Sequence, residues 1–317
     1  MRTDIVLPQK LKAGDRVRFV SPASPVRKGS LERTSRLLEE LGLAVEYGAH
    51  VYDVDETLDY LAGKDEDRLA DINEALRDPG IKAIIATRGG KGAYRIADGL
   101  DFEAMRHNPK LLIGFSEITI LHMALLKSCD TIGIHGAPWD NESFGQASAG
   151  SFVKSVMSAE PVKVRPTSRE HTYVLTTEGK ATGRLIGGNQ DSIATAAGWA
   201  LPNFDGAILL LEAFNLRLGH IDRQLTMLIK TGIIKNVVGV AVGQYTDCGA
   251  ASDPTITSDI RCTEIDILRD RLGQLGVPIL GGLPIGHGKN PIAIPIGTMA
   301  TLDADRKTLT VAPGISG

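Results

Sequence analysis

Ser116 stands where an apolar run meets a helical one, in Lys110-Leu-Leu-Ile-Gly-Phe-Ser-Glu-Ile-Thr119. A strand that turns at Gly114 and re-emerges as a helix would expose the hydroxyl. It would also surround it with the free amides of a helix N-terminus, which suit a developing anion. The stretch is only part of the G-x-S-x-G nucleophile elbow, because position 118 is Ile. The same serine reads equally as a helix cap. A second turn, Ala86-Thr-Arg-Gly-Gly-Lys-Gly92, also follows an apolar run and lets backbone approach a ligand closely. It fails the dinucleotide fingerprint, since Arg95 stands where the last glycine belongs, and it fails the phosphate-loop pattern. An oxyanion-hole donor and a plain strand-to-helix turn are its two readings. Glu212 closes the apolar run Ala207–Leu211, at the carboxyl end of a strand where α/β ligand sites form, or else simply marks a solvated strand end. His287, in Leu-Pro-Ile-Gly-His-Gly-Lys-Asn290, lies in a loop whose flanking glycines point to an unusual shape. His135, in Gly-Ile-His-Gly-Ala-Pro138, is the rival base, or a pocket-lining or structural residue. A hydroxyl, an imidazole and a carboxylate are together what attack on an amide requires. No histidine pair has metal-ligand spacing, so neither a catalytic metal nor a cofactor is expected.

The elements that must position these groups alternate. Strand patterns cover Arg16–Val20, Leu43–Tyr47, Ile81–Thr87, Leu111–Ile113 and Thr131–His135. Helical patterns cover Leu31–Leu41, Glu66–Arg77 and Ile118–Lys127 between them. Such alternation predicts a parallel sheet with helices on both faces. Around Ala159–Thr177 prolines and charges break the period, so residues 161–178 read as a linker. The second half resumes with strands at Lys180–Ile186, Ala207–Leu211 and Val237–Val242 and helices at Asp191–Trp199, Ile221–Lys230 and Arg261–Leu275. Short strands and turns are expected from Pro278 onward. The expectation is two α/β domains, 1–160 and 179–317, the first a flavodoxin- or Rossmann-like parallel sheet and the second smaller.

Composition removes other classes. The chain has 317 residues, 43% hydrophobic and 23% charged, with a net charge of −3. That is an ordinary globular composition with no basic field for nucleic acid and no clustered cations for an anionic membrane. No apolar run approaches a membrane span, and Met1 to Lys10 has neither an apolar core nor a cleavage site, so no leader is expected. Cys129, Cys248 and Cys262 are odd in number and far apart, which fits a reducing cytoplasm.

Taken in order, the segments resemble the LD-carboxypeptidase family of serine peptidases, which also holds microcin-immunity proteins. The matching stretches are Ser21-Pro-Ala-Ser24, Thr87-Arg-Gly-Gly90, Gly114-Phe-Ser-Glu-Ile-Thr119, His135-Gly136, Gly187-Gly-Asn189, Leu211-Glu212, Ile221-Asp-Arg223, Gly286-His-Gly288 and Ile294-Pro-Ile-Gly297. The resemblance implies a site in the cleft between two domains, with Ser116 as nucleophile, His287 as base and Glu212 orienting it. It implies an oxyanion hole from the amides of Gly90 and Glu117, and substrate contacts from Arg88, Gly89, Lys91, His135 and Asn189. It also implies a homodimer acting on a small peptide without a metal. Three positions depart from the family's habit: Glu117 for Asp, Lys91 for Tyr, and Ala213 for Asp. The expected reaction is removal of a terminal D-alanine from murein tetrapeptides, with Arg88 pairing the terminal carboxylate. A microcin-immunity-type hydrolase of an aminoacyl-nucleotide conjugate is the alternative, with Trp139 or Phe144 stacking on a base. A non-catalytic small-molecule binding protein is the third reading, and a missing Ser116–His287 hydrogen bond would favour it.

Overall fold

A computed structural model describes residues 7–137, 146–249 and 262–317, without the side chains of 146 and 147. The first half runs β1 (Arg16–Val20), α1 (Glu32–Glu40), β2 (Ala44–Tyr47), α2 (Asp65–Arg77), β3 (Ile81–Ala86), α3 (Phe102–His107), β4 (Leu111–Gly114), α4 (Ile118–Cys129), β5 (Gly133–His135) and α5 (Gln146–Met157). The second half runs β6 (Val162–Val164), β7 (Lys180–Asn189), α6 (Gln190–Ala196), β8 (Ile208–Phe214), α7 (Leu218–Lys230), β9 (Gly239–Thr246), α8 (Glu264–Gly273), β10 (Ile279–Leu280), β11 (Ile294–Ile296), β12 (Met299–Asp303) and β13 (Thr308–Val311).

The first sheet has the order β11-β5-β4-β3-β1-β2. Its pairs are parallel except β11 with β5. Without β11 this is the flavodoxin-like order, whose crevice opens at the carboxyl ends of β1 and β3. The run Leu111-Leu-Ile-Gly114 is wholly buried, as a parallel strand covered on both faces must be. The second sheet, β10-β9-β8-β7-β12-β13-β6, has a parallel half from β10 to β7 and an antiparallel half beyond it. Its interior strand β8, paired on both sides, buries Ile208 through Ala213.

Two results differ from the sequence expectation. Residues 161–178 are not free chain: Val162-Lys-Val164 alternates buried and exposed, and forms the edge strand β6 on β13. Its flanking prolines lie outside the strand, where an edge tolerates them. A 3-10 turn, His171–Leu175, then docks on the same sheet, Thr172 Oγ1 donating to Gly243 O at 2.9 Å. Secondly, β11 belongs by sequence to the second half but completes the first sheet. The halves are further tied by Arg184, which bonds Asp130 at 2.6 Å and Gly297 O at 2.7 Å. The helix expected from Arg261 starts at Glu264, because Thr263 and Asp266 form a capping box there; residue 261 itself lies outside the described residues.

Candidate active site

Ser116 occupies the turn between β4 and α4 with φ +62°, a left-handed conformation that a non-glycine residue holds only at a cost of about 1–3 kcal/mol. Its hydroxyl does not cap α4: Glu117 is the cap position, and no side-chain capping hydrogen bond is made there. The helix-cap reading therefore fails, and the strain is left with a half-buried, outward hydroxyl as its product. Gly89 makes the turn possible, since a Cβ there would stand 2.7 Å from Ser116 Cβ.

The loop carrying Gly89 and Gly90 is fixed from behind. Ser21 Oγ bonds Thr87 Oγ1 and Val51 O, both at 2.7 Å. Ser24 Oγ donates to Tyr60 O at 2.8 Å and accepts from Lys91 N at 3.0 Å. Arg68, 1% exposed, donates to Pro22 O at 2.6 Å and Gly92 O at 2.9 Å and pairs with Asp65. Sequence reasoning missed Arg68, which no motif marks; only its place on the buried face of α2 reveals it. The amides of Gly90 and Glu117 donate to no other described residue, and both residues line one cleft with Ser116. The cleft has a volume of about 580 Å3, and Lys91, Asn189, Asp191 and Phe214 also face it.

The Glu117 side chain turns back under the loop, 3.4 Å from Ala93 N. Burial pushes its carboxyl up to about 7, against the pull of the Ala93 and Gly92 amides and the Lys91 ammonium. The folded protein thus holds a proton that the unfolded chain, with an ordinary value of 4.5, releases earlier. Stability should fall as pH rises from about 4.5 through about 7, by at most about 1.4 kcal/mol per pH unit. Glu117→Gln is expected to flatten that slope in denaturant unfolding followed from about pH 5 to about pH 8. Identical slopes in variant and wild type would refute a proton held there.

Glu212 is wholly buried on β8, in register with Asn189 of β7. Its Oε2 lies 2.7 Å from His287 Nδ1. A nitrogen against a carboxylate carries the proton, so Nε2 is the acceptor. Burial alone would push Glu212 up, but the His287 imidazole, with smaller help from His135 and Asn189, holds it below its ordinary range. Gly286, at φ +133°, admits this pair: a Cβ would stand 2.8 Å from Glu212 Oε2. Phe214 stacks on the His287 ring, centroids 5.0 Å apart and 17° between planes. Phe115, the neighbour of Ser116, packs on it at 4.9 Å. The His287 imidazole and the residue beside Ser116 therefore share one aromatic neighbourhood, although no hydrogen bond joins Ser116 Oγ to His287 among the described residues. That absence counts toward the non-catalytic binding reading, but it does not exclude a nucleophile, because catalytic hydrogen bonds commonly tighten only when substrate binds.

The remaining expected contacts divide. Lys91 reaches across the cleft to Asp191, Nζ to Oδ2 at 3.2 Å, and Asn189 caps α6 through Ser192 N. Arg88 is exposed and donates to Pro25 O at 3.4 Å, and it does not line the cleft. His135 is 1% exposed, behind the cleft rather than in it. Trp139 and Phe144 lie outside the described residues. Among the described residues, the grouping that could hold an ion is His50, Asp53 and Asp67, which includes no cleft residue.

Residues 17–136 match the LD-carboxypeptidase N-terminal domain and residues 182–302 the LD-carboxypeptidase C-terminal domain. A Bacillus subtilis protein described as "Probable murein peptide carboxypeptidase" is 32% identical, covering 98% of this chain and 95% of its own. Among solved structures, an MccF-like protein from Bacillus anthracis superposes with a TM-score of 0.83 at 26% identity, over 97% of this chain and 99% of that one. A muramoyltetrapeptide carboxypeptidase from Oxalobacter formigenes does so with 0.79 at 26% identity, over 95% and 100%.

Proposed function

The chain belongs to the LD-carboxypeptidase family, and on that premise we propose that it is a serine carboxypeptidase removing the terminal D-alanine of murein tetrapeptides. The observation that carries the reading is the buried Glu212–His287 pair, which engages Nδ1 and leaves Nε2 as the acceptor, on a ring packed against Phe115, the neighbour of the strained Ser116. In this mechanism Ser116 Oγ attacks the carbonyl carbon of the residue before D-alanine, and His287 Nε2 takes the hydroxyl proton. The carbonyl oxygen, now an anion, receives hydrogen bonds from the amides of Gly90 and Glu117. His287 returns the proton to the amine of D-alanine as the amide C–N bond breaks, leaving an acyl-enzyme. Water, deprotonated by His287, then attacks the ester and restores Ser116. Lys91 is the cation in the cleft that would meet a carboxylate of the substrate, with Gly89 shaping the loop and Asn189 the facing wall; Arg88, outside the cleft lining, would reach a carboxylate only after turning inward. The family resemblance further proposes a cytoplasmic homodimer engaged in peptidoglycan recycling; a monomeric mass by light scattering would remove the dimer. Among the described residues no helix is long and apolar enough to cross a membrane.

A second reading is a hydrolase of aminoacyl-nucleotide conjugates. It draws on the similarity to the MccF-like protein and on Phe214, 46% exposed at the cleft wall and able to stack on a base. The deciding experiment offers the purified protein a murein tetrapeptide and, separately, an aminoacyl sulfamoyl nucleoside. Free D-alanine from the first supports the carboxypeptidase. Cleavage of the second alone overturns it in favour of the conjugate hydrolase.

A further inference from the structure

We propose that His135 is a positioning residue of the triad: its Nε2–H is the donor for Glu212 Oε1, the carboxylate oxygen that His287 does not use. The proposal rests on the reading of Glu212 and His287 as orienting group and base. Among the described residues three buried polar atoms of this pair have no hydrogen-bond partner: Glu212 Oε1, His135 Nε2 and His135 Nδ1, of which Nε2 is the one turned to the carboxylate. Buried carboxylate oxygens left unpaired are costly, and so are unpaired imidazole nitrogens. His135 Nε2 and Glu212 Oε1 stand 3.9 Å apart, with the residues 1% and 0% exposed. A movement of about 1 Å by either side chain closes that gap to hydrogen-bond length.

The place of His135 in the fold gives the contact its use. His135 ends β5 and is in register with Gly114 of β4, the strand that launches Ser116. Glu212 belongs to the other sheet. A bond between them fixes the orienting carboxylate relative to the nucleophile's own strand pair, which the Glu212–His287 contact within the second half cannot do. Phe115 meets the His135 ring edge-on at 6.3 Å and the His287 ring at 4.9 Å, so one side chain spaces both imidazoles. The Asn189 side chain also reaches toward the carboxylate as a donor and favours its charge, but it leaves Oε1 without a partner at hydrogen-bond geometry among the described residues, and its own oxygen accepts from Ser192. Burial pushes His135 down to about 4, against the pull of Glu212, so the ring is neutral at working pH. A neutral donor steadies the carboxylate without placing a second positive charge beside it, and draws only modestly on the charge that His287 shares.

The test compares His135→Leu, which has no donor, with His135→Gln, whose amide keeps one. With a murein tetrapeptide, kcat should fall about 10- to 100-fold in the Leu variant, the size of one hydrogen bond to a charged group, with KM little changed. The acid limb of kcat/KM should move to higher pH, because a carboxylate with one donor fewer makes His287 more basic. The Gln variant should recover most of kcat and the original limb. A kcat within twofold of wild type in the Leu variant overturns the proposal; so does an equal loss in both variants with an unmoved limb, the mark of packing alone. Nitrogen-15 NMR of histidine-labelled protein separates this proposal from the proposed reaction, since it needs no substrate. It should find the His135 proton on Nε2 in the wild type and the His287 midpoint raised in the Leu variant. A proton on Nδ1 of His135, or an unmoved His287, overturns the proposal even if D-alanine is released. A moved His287 in a protein that cleaves no tetrapeptide supports it while refuting the carboxypeptidase.

Discussion

Ser116→Ala is expected to lower D-alanine release by about 10^4-fold or more, while the variant binds tetrapeptide and unfolds at the wild-type denaturant midpoint or above it. The loss is expected to be large because in the proposed mechanism the hydroxyl forms the acyl bond, and a methyl group cannot replace it. The Gly90 and Glu117 amides would still bind the carbonyl oxygen, so a residue of catalysis over water should survive. The unchanged stability has a separate cause. Ser116 Oγ takes no part in capping α4, and the first-turn bonds come from backbone, with Thr119 N donating to Ser116 O at 3.0 Å. Removing the oxygen thus leaves no buried partner unpaired. Alanine at φ +62° bears the same strain as serine. Release that persists in the variant would mean that another residue is the nucleophile, and the proposed mechanism would fall.

Glu212→Gln should lower kcat by roughly 10^3- to 10^4-fold with a small change in KM, because it inverts the tautomer of the base. The carboxylate at 2.7 Å from Nδ1 can only accept, which keeps the His287 proton on Nδ1 and the lone pair on Nε2. A glutamine amide can donate to Nδ1, and the proton then sits on Nε2, where it cannot accept the one from Ser116. The same substitution should change the acid response. Since the folded protein depresses the Glu212 pKa, its charged form contributes stability above the ordinary value of 4.5. That contribution is lost as pH falls through the depressed folded value, and the Gln variant should show less of this acid loss. A variant with kcat within tenfold of wild type would refute the orienting role.

Much of this site was legible in the sequence for a physical reason. Strands buried on both faces must be continuously apolar, so Leu111–Ile113 and Ala207–Leu211 declared themselves, and each marked the polar residue at its carboxyl end. The turns declared themselves through glycine, at Gly89 and Gly286, where a side chain would collide with Ser116 or Glu212. What went unread has a common cause as well. Residues 161–178 look like linker because an edge strand of three residues has too short a period to register between prolines. Ile294-Pro-Ile296 gives no sign that it crosses to the other sheet, since pairing partners are not encoded in one strand's own pattern. Arg68 and the Glu117 carboxyl act through burial, and burial of a charged group contradicts what its residue type predicts.

Local residue order supplies the kinds of chemistry present, a hydroxyl, a carboxylate and an imidazole, each at the end of a strand or in a glycine-bounded loop. Local propensity and hydrophobic period suffice for that, because they act over a few residues. Packing of the folded chain is what brings Glu212 to His287 Nδ1, leaves Ser116 strained rather than capping, and sets His135 beside the carboxylate instead of in the cleft. Those facts depend on how two sheets pack, and hence on distances between residues far apart along the chain, which no local pattern fixes.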